Sequence, residues 1–208
     1  ERVAILGRVG SGKSTLQKLA MGLYQPTAGA ILIDGIDTRQ LDPAELRAKI
    51  GYVPQDVTLF YGSLRDNLTL ANTQVPDAAL VRAAEIAQLA DFVNSHPQGF
   101  DMLVGERGDS LSGGQRKSVA LARGIIHEPR LLLMDEPTGS MDHSTETAVK
   151  QQLAEFVEGR TWLVVTHRNS LLEMVDRILV IDKGKLVADG PRDSVVKALR
   201  QGRIGKAQ

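Results

Sequence analysis

Residues Gly7-Arg8-Val9-Gly10-Ser11-Gly12-Lys13-Ser14-Thr15 keep the spacing G-x-x-x-x-G-K-[ST] from Gly7 to Ser14, the pattern of a phosphate-binding loop. Gly7, Gly10 and Gly12 let successive backbone N–H groups curl around anionic oxygens with no Cβ in the way. A helix starting near Lys13 adds its positive dipole end. In such a loop Lys13 reaches the terminal phosphates, and the Ser14 hydroxyl can ligate Mg²⁺. A second chemical element closes the apolar run Leu131–Met134, where Asp135 and Glu136 follow directly. Two carboxylates at a strand end are costly unless a cation neutralises them. Neighbouring strand residues face opposite sides, which gives Asp135 to a Mg²⁺ shell and Glu136 to an attacking water, as general base. A third element is His167, at the end of the run Trp162–Thr166. If that strand lies beside the acidic one, the imidazole comes near a γ-phosphate. His96, His127 and His143 read as structural, and Trp162 as core packing.

A fourth element is less easily placed. Ser112-Gly113-Gly114-Gln115 follows Leu111 and precedes Arg116 and Lys117. It has the glycines and the helix start of an anion site, without a lysine placed like Lys13.

The elements that must carry these residues are legible as apolar runs. Strands are expected at Val3–Leu6, Ala30–Ile33, Ile50–Val53, Leu131–Met134, Trp162–Thr166 and Arg177–Ile181, with a turn and returning strand at Lys183–Gly190. Leu131–Met134 and Trp162–Val165 lack alternation, as strands covered on both faces do. Helices are expected at Ser14–Met21, Asp77–Ala90, Gly113–Ile126, Thr145–Phe156 and Arg192–Leu199. Strands alternating with helices imply an α/β parallel sheet. The span from about Val57 to Arg123 breaks that rhythm, which gives a single domain with its nucleotide-binding core at 1–56 and 124–208 and a helical insertion at 57–123.

The 208 residues carry 25 basic and 25 acidic side chains, a balance that exerts no general pull toward nucleic acid. The absence of cysteine excludes disulfide frameworks and thiolate metal sites. No apolar run approaches the ~20 residues that span a bilayer, and the opening residues do not form a secretory signal. The chain begins almost on a strand, the expectation for a piece of something longer.

Taken together, Gly7–Ser14, Gln55 in "YVPQD", Leu111–Gln115, Asp135–Glu136, Asp142 in "GSMD" and His167 resemble, in order, the ATPase domain of ABC transporters. The likeness covers essentially the whole chain. It implies a P-loop NTPase (RecA-like) α/β core with a parallel sheet and an inserted α-helical subdomain, the domain's N-terminal part being absent. It also implies ATP and Mg²⁺ as cofactors and two such domains facing head to tail, so that the working unit is an ATP-dependent homodimer. Each ATP is then held by residues Gly7–Thr15 of one subunit and Ser112–Gln115 of the other, with Ser112 and Gly114 on the γ-phosphate. Gln55 joins Ser14 and Asp135 around Mg²⁺, Asp142 lies at the dimer seam while also capping a helix, and Lys13, Glu136 and His167 are catalytic. "VGERG" at Val104–Gly108 resembles an exporter loop, so Glu106 and the Gln55 region would face a transmembrane domain. "LFYGSLRDNL" and "TGSMDHSTE" resemble bacterial type I secretion ATPases, which implies the cytoplasmic face of the inner membrane and protein export. Two departures stand out. The family's adenine-stacking aromatic would precede Glu1, and Gly139-Ser140-Met141 replaces the common Ser-Ala-Leu.

Two other classes fit less well. Chromosome-maintenance and DNA-repair ATPases also carry a signature loop, but they insert long coiled coils, and no sustained heptads occur here. A monomeric P-loop kinase or GTPase leaves Leu111–Gln115 unexplained.

Overall fold

The computed structural model describes residues 1–203. Its centre is a six-stranded sheet in the order β4-β5-β6-β1-β7-β8. The strands are β1 (Arg2–Leu6), β4 (Ile50–Val53), β5 (Leu131–Asp135), β6 (Thr161–Val165), β7 (Arg177–Asp182) and β8 (Lys185–Pro191). All neighbours run parallel except β7 and β8, which form the antiparallel pair expected from the returning strand. Central strands such as β5, with Leu132, Leu133 and Met134 no more than 1% exposed, are covered on both faces, which is why their sequences do not alternate.

Helices α1 (Lys13–Ala20), α6 (Gly113–Ile125), α7 (His143–Phe156) and α9 (Arg192–Arg200) lie close to their expected bounds. Four short helices had no clear sequence signal: α2 (Pro43–Ala48), α3 (Leu64–Thr69), α5 (Ala90–Ser95) and α8 (Asn169–Leu172).

Two expectations need correction. The run Ala30–Ile33 does not supply a core strand. Only Leu32–Ile33 (β2) pairs, with Ile36–Asp37 (β3), in a separate hairpin where Leu32 is 60% exposed. The expected helix Asp77–Ala90 is two helices, because α4 (Asp77–Ile86) stops before α5 begins. Gln88 takes φ 57°, Leu89 N–H donates to the Ala84 carbonyl and Gln88 N–H to Glu85. That is a Schellman stop, and it carries Leu89 into full burial.

Helix α6 lies directly on β4. A Cβ at Gly51 would sit 2.1 Å from the Gly124 carbonyl oxygen, and one at Gly124 would sit 2.7 Å from Val53 Cγ2. Only glycine at both places allows helix and strand to approach this closely. Helices α3 and α4 then pack on other parts of α6, so the helix that starts at the signature glycines reaches from the helical region to the sheet.

Candidate functional site

Strands β4, β5, β6 and β1 are consecutive and parallel, so their carboxyl ends share one edge of the sheet. That edge is where open α/β sheets bind ligands. After β1 the chain turns through Gly7–Gly12 into α1. A Cβ on Gly7 would lie 2.1 Å from the Ile181 carbonyl oxygen and 2.6 Å from Ser11 Oγ, while Gly10 and Gly12 have φ of 77° and 102°. Gly12 caps α1 without any side-chain hydrogen bond, which leaves the first amides of that helix available to an anion. Lys13 Nζ spans the loop, donating to the carbonyls of Gly7 (2.9 Å) and Arg8 (2.8 Å). Arg8 and Val9 are exposed, Val9 almost completely.

Asp135, the last residue of β5, is 2% exposed and accepts a 2.5 Å hydrogen bond from Ser14 Oγ. Glu136 turns out of the strand at φ 46°. Its backbone N–H donates to the Val165 carbonyl at 2.8 Å, and this places its carboxylate over the end of β6. There Oε2 accepts from Thr166 Oγ1 (3.1 Å) and Oε1 from the His167 backbone N–H (2.9 Å), with His167 Nε2 4.0 Å from Oε1. The two acidic neighbours therefore serve different partners, and the cause is the left-handed turn at Glu136, which lies past the end of β5, and not strand alternation.

A cleft of about 360 Å³ is lined by Val9, Gly10, Gly12, Lys13, Ser14, Thr15, Gln55, Asp135, Glu136, Val165 and His167. Ser14, Gln55 and Asp135 offer it only oxygen donors, the chemistry that suits Mg²⁺. Among the described residues no group of three or more His, Cys, Asp or Glu converges on a metal position. A cation here would thus complete its shell with phosphate and water, as Mg²⁺ commonly does.

Ser112, Gly113, Gly114, Gln115 and Asp142 do not line that cleft. Ser112 is the N-cap of α6. Its Oγ accepts from Gln115 N–H at 3.1 Å, and Gln115 Oε1 accepts from Ser112 N–H at 2.8 Å, a reciprocal capping box. Positions for Cβ atoms on Gly113 and Gly114 face Ser140, so the signature loop rests on the loop that precedes Asp142. Asp142 caps α7, accepting from Ser144 Oγ, Thr145 Oγ1 and Thr145 N–H. The Ser144 hydroxyl, followed by Thr145, holds its carboxyl well below the usual carboxylate range. Glu106 opens a short 3₁₀ turn and is exposed.

Several polar groups of this region were not anticipated. Thr166 is fully buried and, besides donating to Glu136, accepts from Arg168 N–H at 3.1 Å. Buried Glu146 on α7 accepts from Arg168 and Ser170, joining α7 to the segment after His167. Lys117 and Arg123 on α6 both donate to backbone carbonyls of the segment that follows β4. A signal for Lys117 existed: it precedes Ala120, Leu121 and Gly124 at helical spacing, so it stands on an otherwise apolar stripe.

Comparison with known proteins agrees with this fold. The ABC transporter family model matches residues 1–139. The chain is 40% identical, over 95% of its length, to the leukotoxin export ATP-binding protein LtxB of Aggregatibacter actinomycetemcomitans, and covers 28% of that protein. It is 42% identical, over 94%, to a multidrug efflux ATP-binding/permease protein of Mycobacterium bovis, covering 16% of it. A bacterial Atm1-family ABC exporter with ATP bound superposes with a TM-score of 0.90 at 38% identity, across 97% of this chain and 36% of that one. The chain thus spans less than a third of the curated relatives named here, and about a third of the solved exporter. It belongs to the ABC transporter family, and it is an ATPase domain of that family.

Proposed function

We propose that this domain is half of an ATP-dependent pair that drives an exporter. The carrying observation is the separation of two anion-binding features. One cleft holds Lys13, Ser14, Asp135 and Glu136, while the lysine-free loop Ser112–Gln115 lies outside it. A loop that closes on a phosphate already held by another subunit's Lys13 needs only amide N–H groups, a hydroxyl and a helix dipole.

In the proposed mechanism Gly7–Thr15 wrap the phosphates and Lys13 turns its ammonium to them. Ser14, Gln55 and Asp135 would hold Mg²⁺, which when bound supplies charge neutralisation on the transferring phosphoryl group. Glu136 takes the proton of the attacking water. The Thr166 hydroxyl and the His167 N–H fix its carboxylate, so little reorganisation remains at the moment of reaction. The His167 side chain, 62% exposed at the rim, holds the γ-phosphate. Ser112 and Gly114 of the partner subunit would complete the charge stabilisation, and Asp142 lies at the seam. The core at 1–56 and 124–208 and the helical region at 57–123 belong to the same proposal, with α6 crossing between them.

The likeness to LtxB, with the stretches around Phe60 and Met141, supports protein export at the cytoplasmic face of a bacterial inner membrane; the multidrug relative supports efflux of small molecules on nearly equal identity. The exposed Phe60 and Tyr61, with Leu103 nearby and Glu106 beyond it, offer a face to a transmembrane domain. Among the described residues no helix is long and apolar enough to cross a membrane.

Glu136→Gln tests the central reading. Loss of a general base predicts a ~10²–10⁴-fold lower hydrolysis rate with ATP binding kept, so the variant should accumulate as a dimer in MgATP. Gel filtration with light scattering that finds only monomer would refute the paired arrangement.

A further inference from the structure

Lys117 is 5% exposed, and its ammonium has no carboxylate partner among the described residues. It donates to the carbonyl oxygens of Gln55 (2.6 Å) and Pro54 (2.8 Å), with the Asp135 carbonyl at 3.5 Å. Those carbonyls lie where the chain leaves β4 and β5, adjacent strands in register at Val53 and Met134. Both exits lead to cleft residues, Gln55 and Asp135. Burying an ammonium is costly unless its donors are satisfied, and an apolar residue would complete the buried stripe of α6 at lower cost. The arrangement spends that cost on the backbone of Gln55. Burial pushes the ammonium pKa down, and Asp135, Asp56 and Glu136 counteract that by their charge.

A second cation on α6 treats the far end of the same segment in the same way. Arg123 donates to the carbonyls of Thr58 (3.1 Å) and Asn67 (2.8 Å), and Asn67 in turn holds both backbone polar groups of Phe60. The segment from Pro54 to Asn67 is therefore tied to α6 at both ends. The N-terminus of α6 is the signature loop itself.

We propose that Lys117 is a positioning residue for Gln55, fixing it in the cleft and tying it to the helix that bears the signature loop. This rests on the reading of the cleft as the site of MgATP hydrolysis. A displacement of Ser112–Gln115 is then transmitted along α6 to Gln55 of the same subunit. Lys117 itself touches neither nucleotide nor water.

The test is a double-mutant cycle in the full-length transporter, comparing wild type, Lys117→Met, Gln55→Ala and the double variant. ATPase kcat, KM for MgATP and the Mg²⁺ concentration for half-maximal rate are measured for each. Lys117→Met should lower kcat by about tenfold, the scale of losing hydrogen bonds to a charged group, and raise the Mg²⁺ requirement several-fold. In the Gln55→Ala background the same change should alter kcat by less than about twofold, because a residue acting through Gln55 has nothing left to position. Lys117→Gln keeps a donor and should retain the rate within about threefold; Lys117→Ala, which also removes the donor, replaces Lys117→Met in the cycle if the latter does not fold. Equal losses in both backgrounds would overturn the proposal, as would an unchanged Lys117→Met. Glu136→Gln separates the two readings: if it hydrolyses ATP at the wild-type rate, the cleft is not the hydrolytic site and the proposal falls with that reading. If Glu136→Gln is inactive and the cycle is additive, only the role of Lys117 fails.

Discussion

Ser112 caps α6 and, in the proposed pair, meets a phosphate of the partner's nucleotide, two jobs that a pair of substitutions can separate. Within its own subunit the hydroxyl accepts from Gln115 N–H at 3.1 Å and caps α6. A serine hydroxyl has one donor and two acceptor positions, so this bond leaves its proton free for a phosphate of the partner's nucleotide. Ser112→Ala removes both functions. The cap is worth about 1 kcal/mol, and for a chain of 208 residues that corresponds to a Tm lower by roughly 2–4 °C. Ser112→Asp keeps the cap, since aspartate is as good an N-cap as serine and suits the helix dipole, so its Tm should stay at or above wild type. Its carboxylate would nevertheless face an anion. Two unit charges ~4 Å apart at an effective dielectric near 20 repel by ~4 kcal/mol, about a 10³-fold loss of ATP-dependent association. The assays are thermal denaturation and light scattering in MgATP, both in the Glu136→Gln background, where dimers accumulate. A Ser112→Asp protein that is stable and still dimerises with ATP would refute the argument that this loop faces phosphate. A Ser112→Ala protein with unchanged Tm would refute the capping role.

Other expectations follow from single contacts. Gly51→Ala puts a methyl group 2.1 Å from the Gly124 carbonyl oxygen and 2.6 Å from Pro129 Cγ; overpacking of this kind costs ~1–3 kcal/mol or more, so denaturant titration should show a midpoint well below wild type. Asp135→Asn should leave Mg²⁺-free nucleotide binding nearly intact, as read by a fluorescent ATP analogue, while raising the Mg²⁺ needed for hydrolysis by at least about tenfold. The Asp142 carboxyl is held below its ordinary range by Ser144 and Thr145. Its folded pKa is the lower one, so its contribution to stability is complete above the unfolded carboxylate value and is lost as pH falls through the folded value. The Tm difference between wild type and Asp142→Ala should therefore be constant from about pH 8 to pH 5 and narrow below about pH 4; a difference that grows on acidification would contradict the assignment.

Residues at strand exits were the readable part of this chain. Asp135, Glu136 and His167 end apolar runs with no alternation, and buried parallel strands of that kind must pair side by side, which is how β5 and β6 come to meet. The failures have equally specific causes. The stop after α4 uses Gln88 in a left-handed conformation, where glycine would have been the visible cue. The run Ala30–Ile33 has strand-forming residues but meets no wider sheet, so its propensity was spent on a two-residue pair. The Ser63–Asp66 capping box of α3 was present in the sequence, yet the helix is only six residues long, too short to declare a period. Thr166 and Lys117 act by hydrogen bonds to groups 30 and 62 positions away, and no local pattern marks such partners.

In the proposed pair, the missing lysine in the signature loop is a physical requirement of the shared site. Ser112 and Gln115 satisfy each other across the capping box, so each subunit can fold with this loop complete and uncharged. A lysine there would bind anions in the lone subunit and repel the partner's Lys13 on approach, at a cost in nucleotide-dependent specificity. Without it, the loop's attraction for the partner rests on oriented amides and one hydroxyl, too weak to hold two subunits until ATP supplies the negative charge between them. The chain from Glu136 to this loop is equally short in space: Gly139 lies against the Glu136 carbonyl, and Ser140 lies against Gly113 and Gly114. On this reading, the site where one ATP is hydrolysed beside Glu136 and the loop of the same subunit that holds the other ATP are separated by a handful of packed residues, and the affinity that closes the pair disappears as each bridging phosphate is lost.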